Sequence, residues 1–247
     1  MEKKYIYGIN PVIEALRAQN LTISEIIIQK GKDNKRINSI VHAAQKRKVQ
    51  IRYEEKDKLN LRFDKVHQGV IAAITNFTYI PLKELLAGLV DKKCAKLLFL
   101  DCIEDPQNLG ALIRSACAFG FDGIIIQDKR SASVTPAAIK VSSGTIFQIP
   151  VCLVKNMNKA IETVKKSGFW TVGTVINTDK YIHDIDMDMK IALIIGNEEK
   201  GLRNLVARNC DFLVKIPISE KVNSLNASAA GACAMYEIMR QQLQAST

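Results

Sequence analysis

KLLFLD at 96–101, running on into CIEDPQNLG at 102–110, is the stretch on which the fold turns. A nearly unbroken apolar run ends on a carboxylate, as expected for a strand buried on both faces. Asp105 and Pro106 then supply a helix cap and a first-turn proline, and Leu109, Leu112, Ile113 and Ala116 form a helical apolar stripe. The same rhythm continues downstream. GIIIQ (123–127), VCLV (151–154), FWTVGT (169–174), IALII (191–195) and FLVKI (212–216) alternate with helical segments. Strands alternating with helices predict an α/β domain over 93–247, with a parallel sheet covered by helices on both faces.

Upstream, Asn10-Pro11 reads as a capped helix start opening VIEALRAQ. SEIIIQ (24–29) is a β-branched strand, residues 34–48 have helical spacing at Ile37, Ile40, Val41 and Ala44, and VQIRYE and GVIAAIT are two further strands. Residues 1–76 therefore form a smaller α/β domain. Residues 77–92 are a connector with a short amphipathic helix near Pro81.

Of 247 residues, 35 are Lys or Arg and 25 are Asp or Glu, a formal charge of +10. The excess is uneven: residues 1–80 carry 15 basic against 8 acidic side chains. Such asymmetry suggests a polyanion-binding module on a more neutral body, although a basic solubilising surface would look the same. Lys32, Lys35, Arg36, Lys46, Arg47, Lys48 and Arg52 are its candidate phosphate contacts. An apolar content of 47% excludes a disordered chain. No apolar run reaches the length of a membrane span or a secretory leader, so the expectation is a soluble, cytoplasmic protein with no membrane partner. The six cysteines are scattered without a C-x-x-C pair or a neighbouring histidine, so neither a disulfide framework nor a metal site is expected.

Several chemistries lack their motifs. No G-x-G-x-x-G follows the first strand of the larger domain, and there is no ATP-binding P-loop, G-x-S-x-G elbow or H-E-x-x-H. The three histidines, His42, His67 and His183, supply little general-base chemistry and read as structural. What stands out instead is polar residues at three strand ends, where open α/β sheets place ligands. The first group is 105–116, with Asn108 in the first helical turn and Arg114 a turn and a half later. The second is 195–201, where Gly196 and Gly201 bracket Asn197 and Glu198. The third is 215–231, with Ser224, Asn226 and Ser228 opening an Ala- and Gly-rich helix. Taken singly, each reads equally as a cap, a turn or a solvated charge; it is their joint occurrence that points to a site.

D-x-x-N-x-G-x-x-x-R-S-A at 105–116, I-G-N-E-x-x-G at 195–201, and I-P-x followed by S-L-N-x-S within 216–228 resemble the three motifs of the SpoU/TrmH RNA ribose methyltransferases, in the right order. Tyr7-Gly8-Ile9-Asn10-Pro11-Val12 and His67-Gln68-Gly69-Val70 are similar to the ribosomal-protein-like substrate domain of the subgroup that modifies large-subunit rRNA. The resemblance covers nearly the whole chain. It implies a deep trefoil knot in the C-terminal domain, S-adenosylmethionine as methyl donor without a metal, and a homodimer with its site near the interface. It also implies transfer of the methyl to a ribose 2′-hydroxyl, with a guanosine of 23S rRNA as target. A tRNA or other-site rRNA enzyme, or a non-catalytic RNA-binding protein of the same fold, are the alternatives.

Carried over by motif position, Asn108, Arg114, Glu198, Ser224 and Asn226 form the catalytic set. Gly196, Ile216 and Leu225, with Thr174 nearby, hold the donor. Two departures from the family pattern are Ile218, where Met is frequent, and Ser219-Glu220-Lys221, where a glycine is common; the second bears on the shape of that loop.

Overall fold

The computed structural model describes residues 4–18, 21–63, 66–74, 77–129 and 131–245. The expected domain junction at Asn76 lies outside these residues. In chain order the first elements are β1 (Lys4–Tyr7), α1 (Ile9–Arg17), β2 (Ile23–Gln29), α2 (Lys35–Lys46), β3 (Gln50–Glu54), α3 (Lys56–Arg62) and β4 (Val70–Ile74). They are followed by α4 (Leu82–Ala87), β5 (Lys96–Leu100), α5 (Pro106–Ala118), β6 (Gly123–Gln127), α6 (Pro136–Val141), β7 (Val151–Val154) and α7 (Met157–Lys166). The chain closes with β8 (Trp170–Thr174), β9 (Ile191–Ile195), α8 (Asn204–Asn209), β10 (Phe212–Val214) and α9 (Ala227–Ala245).

Two compact units result. One gathers residues 1–78 with 134–148, the other 79–133 with 149–247. The division read from the sequence placed 134–148 within the second domain, whereas here the segment packs on α1 and β1. Its fit is close. A Cβ on Gly144, which has φ +85, would stand 2.9 Å from Pro11 Cα and 2.8 Å from Glu14 Cβ, so only glycine suits the position. Gln148 donates to Glu14 at 2.5 Å, and Lys140 lies over the Tyr7 ring at 4.9 Å.

The first unit is a four-stranded mixed sheet, ordered β1-β4-β2-β3. β2 is β-branched and buried on both faces. Ile27 packs with Ile71 and with Leu59 of α3, while Ile26 and Ile28 point the opposite way and are also fully buried. Helix α1 starts at Ile9, two residues before Pro11, the expected first helical residue, because Gly8 takes the cap position with φ 102 and the Gln68 side chain accepts from the Ile9 N–H at 3.0 Å. Asn10 is thereby free to accept from the Arg36 guanidinium. The two sequence patterns around Gly8 and Gln68 are thus halves of one cap. His67 is a core residue: Nδ1 accepts from the Gly69 N–H at 2.9 Å, which leaves Nε2 to donate to Asn60 at 3.0 Å.

The second unit is a six-stranded, all-parallel sheet ordered β10-β8-β9-β5-β6-β7. All six strands fall where the apolar runs predict. Leu97, Phe99, Ala192 and Ile194 form one core with α4, α7 and α8. By the alternation of a strand, Leu98, Leu100, Leu193 and Ile195 turn to the other face, where α5 and α9 pack on each other. Asp105 caps α5 as expected, accepting from the Gln107 N–H at 2.9 Å.

Candidate functional site

The carboxyl ends of β8, β9 and β10 and the start of α9 enclose a cavity of about 510 Å³ in the second unit. This is where a parallel sheet leaves a crevice between the loops that follow its strands. Thr174, Gly196, Ile216 and Leu225 all line it, as do Glu198 and Ser224. Lys200 and Lys215 add two cations to the wall, and Ile195, Leu202, Leu213 and Ile218 make much of it apolar.

The loop after β9 is closed by hydrogen bonds within its own sequence. Asn197 and Gly201 exchange backbone hydrogen bonds at 3.1 and 2.9 Å. The Asn197 side-chain carbonyl accepts from the Glu199 and Lys200 N–H groups at 3.0 and 3.2 Å. Gly201 closes the turn with φ 64, and a Cβ on Gly196 would lie 2.4 Å from the Gly201 carbonyl carbon. The loop therefore folds flat on itself, and Glu198 projects at its tip, exposed at the cavity wall. Asn108, buried in the first turn of α5, donates its side-chain N–H to Glu198 Oε1. Two of the three sequence groups thus meet through a charge-assisted hydrogen bond.

The third group supplies the opposite wall. After Ile216-Pro217-Ile218 the chain turns at Ser219, whose hydroxyl and carbonyl accept from the Lys221 and Val222 N–H groups at 3.3 and 3.2 Å. A hydrogen-bonded turn therefore stands where the family often has glycine. Asn226 caps α9: its Oδ1 accepts from the Ser228 hydroxyl at 2.6 Å and from the Ser228 and Ala229 N–H groups at 2.9 and 3.4 Å. Ser224 is exposed at the cavity, and Thr174 donates to the Ile194 carbonyl at 3.3 Å, tying β8 to β9. Arg114 stands exposed on α5 and is not part of the cavity wall.

The sequence motifs did not reveal the pairing of Asp101 with Arg203, which holds this arrangement together. Asp101, fully buried at the end of β5, accepts from Arg203 Nε at 2.8 Å and Nη2 at 2.5 Å. The bond to Asp101 raises the Arg203 pKa above its usual value, against the opposing effect of burial. Asn197 reaches across to the Cys102 carbonyl at 3.0 Å. One signal for this pair was present: a carboxylate that ends a fully buried strand requires a cationic partner. Among the described residues, no group of three or more His, Cys, Asp or Glu side chains could hold a metal ion, and no helix is long and apolar enough to cross a membrane.

In the first unit the candidate phosphate contacts divide. Lys35, Arg36, Lys46 and Lys48 are exposed, Lys32 is half-buried, and α2 carries no carboxylate. Arg47 is committed elsewhere. Its guanidinium donates to the carbonyls of Ala15, Leu16, Ala18 and Leu21 at 2.9–3.0 Å, closing the C-terminus of α1. Arg52 pairs with Glu54 at 3.1 Å and Glu25 at 3.8 Å, so its charge is already balanced.

The profile of the SpoU rRNA Methylase family matches residues 95–236, and that of the RNA 2′-O ribose methyltransferase substrate-binding domain matches residues 5–80. A protein of Staphylococcus aureus strain MSSA476, assigned to the TrmH family of tRNA/rRNA methyltransferases, is 38% identical over 98% of both chains. A similar protein of Staphylococcus epidermidis is 38% identical over 99% of this chain and 98% of its own. The fold matches that of the SpoU methyltransferase AviRb from Streptomyces viridochromogenes with a TM-score of 0.83 at 23% identity, covering 98% of this chain and 91% of that one. It also matches an AdoMet-bound rRNA methyltransferase of Sinorhizobium meliloti with a TM-score of 0.79 at 24% identity, over 96% and 87% of the two chains. With both profiles matched in order and relatives aligned from end to end, the chain belongs to the SpoU/TrmH family of RNA methyltransferases.

Proposed function

We propose that the protein transfers a methyl group from S-adenosylmethionine to a ribose 2′-hydroxyl of RNA, with a guanosine of 23S rRNA as its target. The observation that carries this is the cavity itself, which brings Thr174, Gly196, Glu198, Ile216, Ser224 and Leu225 to one place from three distant segments. Its size suits a ligand of nucleoside class, its apolar walls suit a flat base, and Glu198 and Glu199 suit a cation. The donor supplies an electrophilic methyl group on a sulfonium. Gly196 would offer backbone without a side chain to the donor, and Ile216 and Leu225 would hold its base.

A ribose hydroxyl is a weak nucleophile and needs a polarising partner. Arg114 clamps the substrate phosphate through its fork and stabilises charge developing on the ribose oxygen. Asn108 holds Glu198, and Glu198 would meet the cationic end of a bound donor. Ser224 and Asn226 orient the substrate at the start of α9.

RNA docks through the basic first unit, where Lys32, Lys35, Arg36, Lys46 and Lys48 contact phosphates and position the substrate without reading its sequence. Arg47 and Arg52 have structural partners and fall out of that set. The enzyme works in the cytoplasm as a homodimer carrying the family's trefoil knot. The half-exposed Tyr236, set edge-on to Phe119 at 5.9 Å, and the exposed Leu243 support a partner-covered face on α9.

Mapping 2′-O-methyl positions in total RNA from cells with and without the gene tests the proposal. Loss of one methyl on a 23S rRNA guanosine is the expected result. Loss at a tRNA position replaces the target, and an unchanged map overturns the activity.

A further inference from the structure

The loop 196–202 is gripped at both ends by the two residues that follow β5. At its entry, the Asp101 N–H donates to the Ile195 carbonyl at 2.8 Å, and the Cys102 carbonyl accepts from Asn197 Nδ2 at 3.0 Å. At its exit, the Asp101 carboxylate accepts from the Arg203 backbone N–H at 3.0 Å and from its guanidinium at 2.8 and 2.5 Å. Arg203 Nη2 also donates to Gln127 at 2.6 Å, which ties the grip to the end of β6.

The Asp101 N–H bond continues the β5–β9 ladder, but an ordinary turn between a strand and a helix requires none of the other contacts. Asp101 is a fully buried carboxylate, and such a group is retained only where its partners are fixed. Cys102 has φ 60, a region that non-glycine residues enter at a cost and that aims its carbonyl at Asn197. A few residues on, the same connection carries Asn108 to Glu198. One strand end therefore sets the start, the finish and the projecting carboxylate of a loop that forms much of the cavity wall.

We propose that Asp101 and Arg203, with Asn197, are positioning residues for methyl transfer: they hold the 196–202 loop at both ends so that Glu198 keeps its place against Asn108. The proposal rests on the methyl-transfer reading of the cavity. Neither Asp101 nor Arg203 lines the cavity, so their influence passes through the loop. A displacement of about 1 Å at a reacting centre can lower turnover on the order of 100-fold, which is the scale expected when the grip is loosened.

The test uses the full-length protein with Arg203→Lys, Arg203→Met and Asn197→Ser. Lysine keeps a charge beside Asp101 but loses the fork, and serine keeps an acceptor in the loop but loses the reach to Cys102. Four quantities are measured on folded protein: kcat, KM for RNA, donor affinity by calorimetry, and amide hydrogen exchange across 196–203. Arg203→Lys and Asn197→Ser are expected to melt near the parent temperature. Their kcat should fall at least tenfold at an unchanged KM for RNA, with faster exchange at Asn197 and Gly201. Arg203→Met should show the same split more strongly.

Parental kcat in folded Arg203→Lys and Asn197→Ser overturns the proposal, as does a loss that merely follows the melting temperature. If the parent protein binds no S-adenosylmethionine, the methyl-transfer reading fails and takes this inference with it. Donor binding and transfer by the parent, with variants that do not differ from it, sink this inference alone.

Discussion

Asn108 and Glu198, 90 residues apart in the chain, are joined by a hydrogen bond from the buried amide to the exposed carboxylate. The bond links the helix after β5 to the loop after β9, and so couples the two strand ends at the centre of the sheet. Asn108→Ala removes it. A hydrogen bond to a charged group contributes about 1.5–3 kcal/mol, so turnover should fall roughly 10- to 150-fold while calorimetry still detects donor binding. Asn108→Asp should be worse, because two carboxylates would then face each other. Full activity in Asn108→Ala would remove the role given to this pair.

Arg114 lies off the cavity wall, on the exposed face of α5. A phosphate clamp is expected there rather than a donor contact. Arg114→Ala should therefore lower turnover by about 100-fold or more and leave donor affinity unchanged. Arg114→Lys should recover only a small part of it, since a point charge does not reproduce a fork. Equal loss of donor affinity in calorimetry would place Arg114 in the wrong part of the site.

Gly196 has no room for a side chain, because a Cβ there would stand 2.4 Å from Gly201 C and 2.5 Å from Leu202 N. Both neighbours are backbone and cannot swing away. Gly196→Ala should open the loop, and overpacking of this kind costs about 1–3 kcal/mol. Donor affinity should drop about tenfold or more, accompanied by a lower melting temperature. A variant that binds donor like the parent would show that the loop tolerates being opened.

The basic residues of the first unit separate into two experimental classes. Replacing Lys35, Lys46 or Lys48 by alanine should weaken RNA binding and lower the slope of log affinity against log salt by about one each, with little change in stability. Arg47→Ala should do the reverse. It strips the partner from four carbonyls at the end of α1, and a loss of about 5 °C in melting temperature is expected at an almost unchanged salt slope. Affinities measured between 50 and 200 mM salt, alongside thermal melts, separate the two classes.

Much of the second unit was legible because its strands are buried on both faces, and continuous runs such as IALII carry that signature directly. Helix α3 was not. KDKLNLR offers only Leu59 and Leu61, one fully buried and the other 89% exposed, and a single apolar anchor sets no period. The start of α1 was misplaced by two residues because its cap comes from Gln68, far along the chain. Within the site, the glycine loop could be read from its spacing, since a tight turn needs glycine locally. The pairing of Asp101 with Arg203 spans 102 residues and exists only once the strands are ordered. Arg47 shows the same limit from the other side: a cation in a basic run looks solvent-facing until its carbonyl partners are placed around it.

The segment 134–148 leaves the second unit, packs on α1 and β1, and returns. The substrate-binding unit is therefore discontinuous in sequence, with most of it in residues 1–78 and a short remainder inside the region that the methylase profile matches. An exchange of N-terminal modules between two such chains at residue 78 would bring in a new surface for α1 and β1 while leaving the old Ala138, Ile139 and Gly144 facing it. Such chimaeras should tolerate the exchange only when the inner segment travels with the outer one, which makes these 15 residues a compatibility code between the part that finds RNA and the part that modifies it.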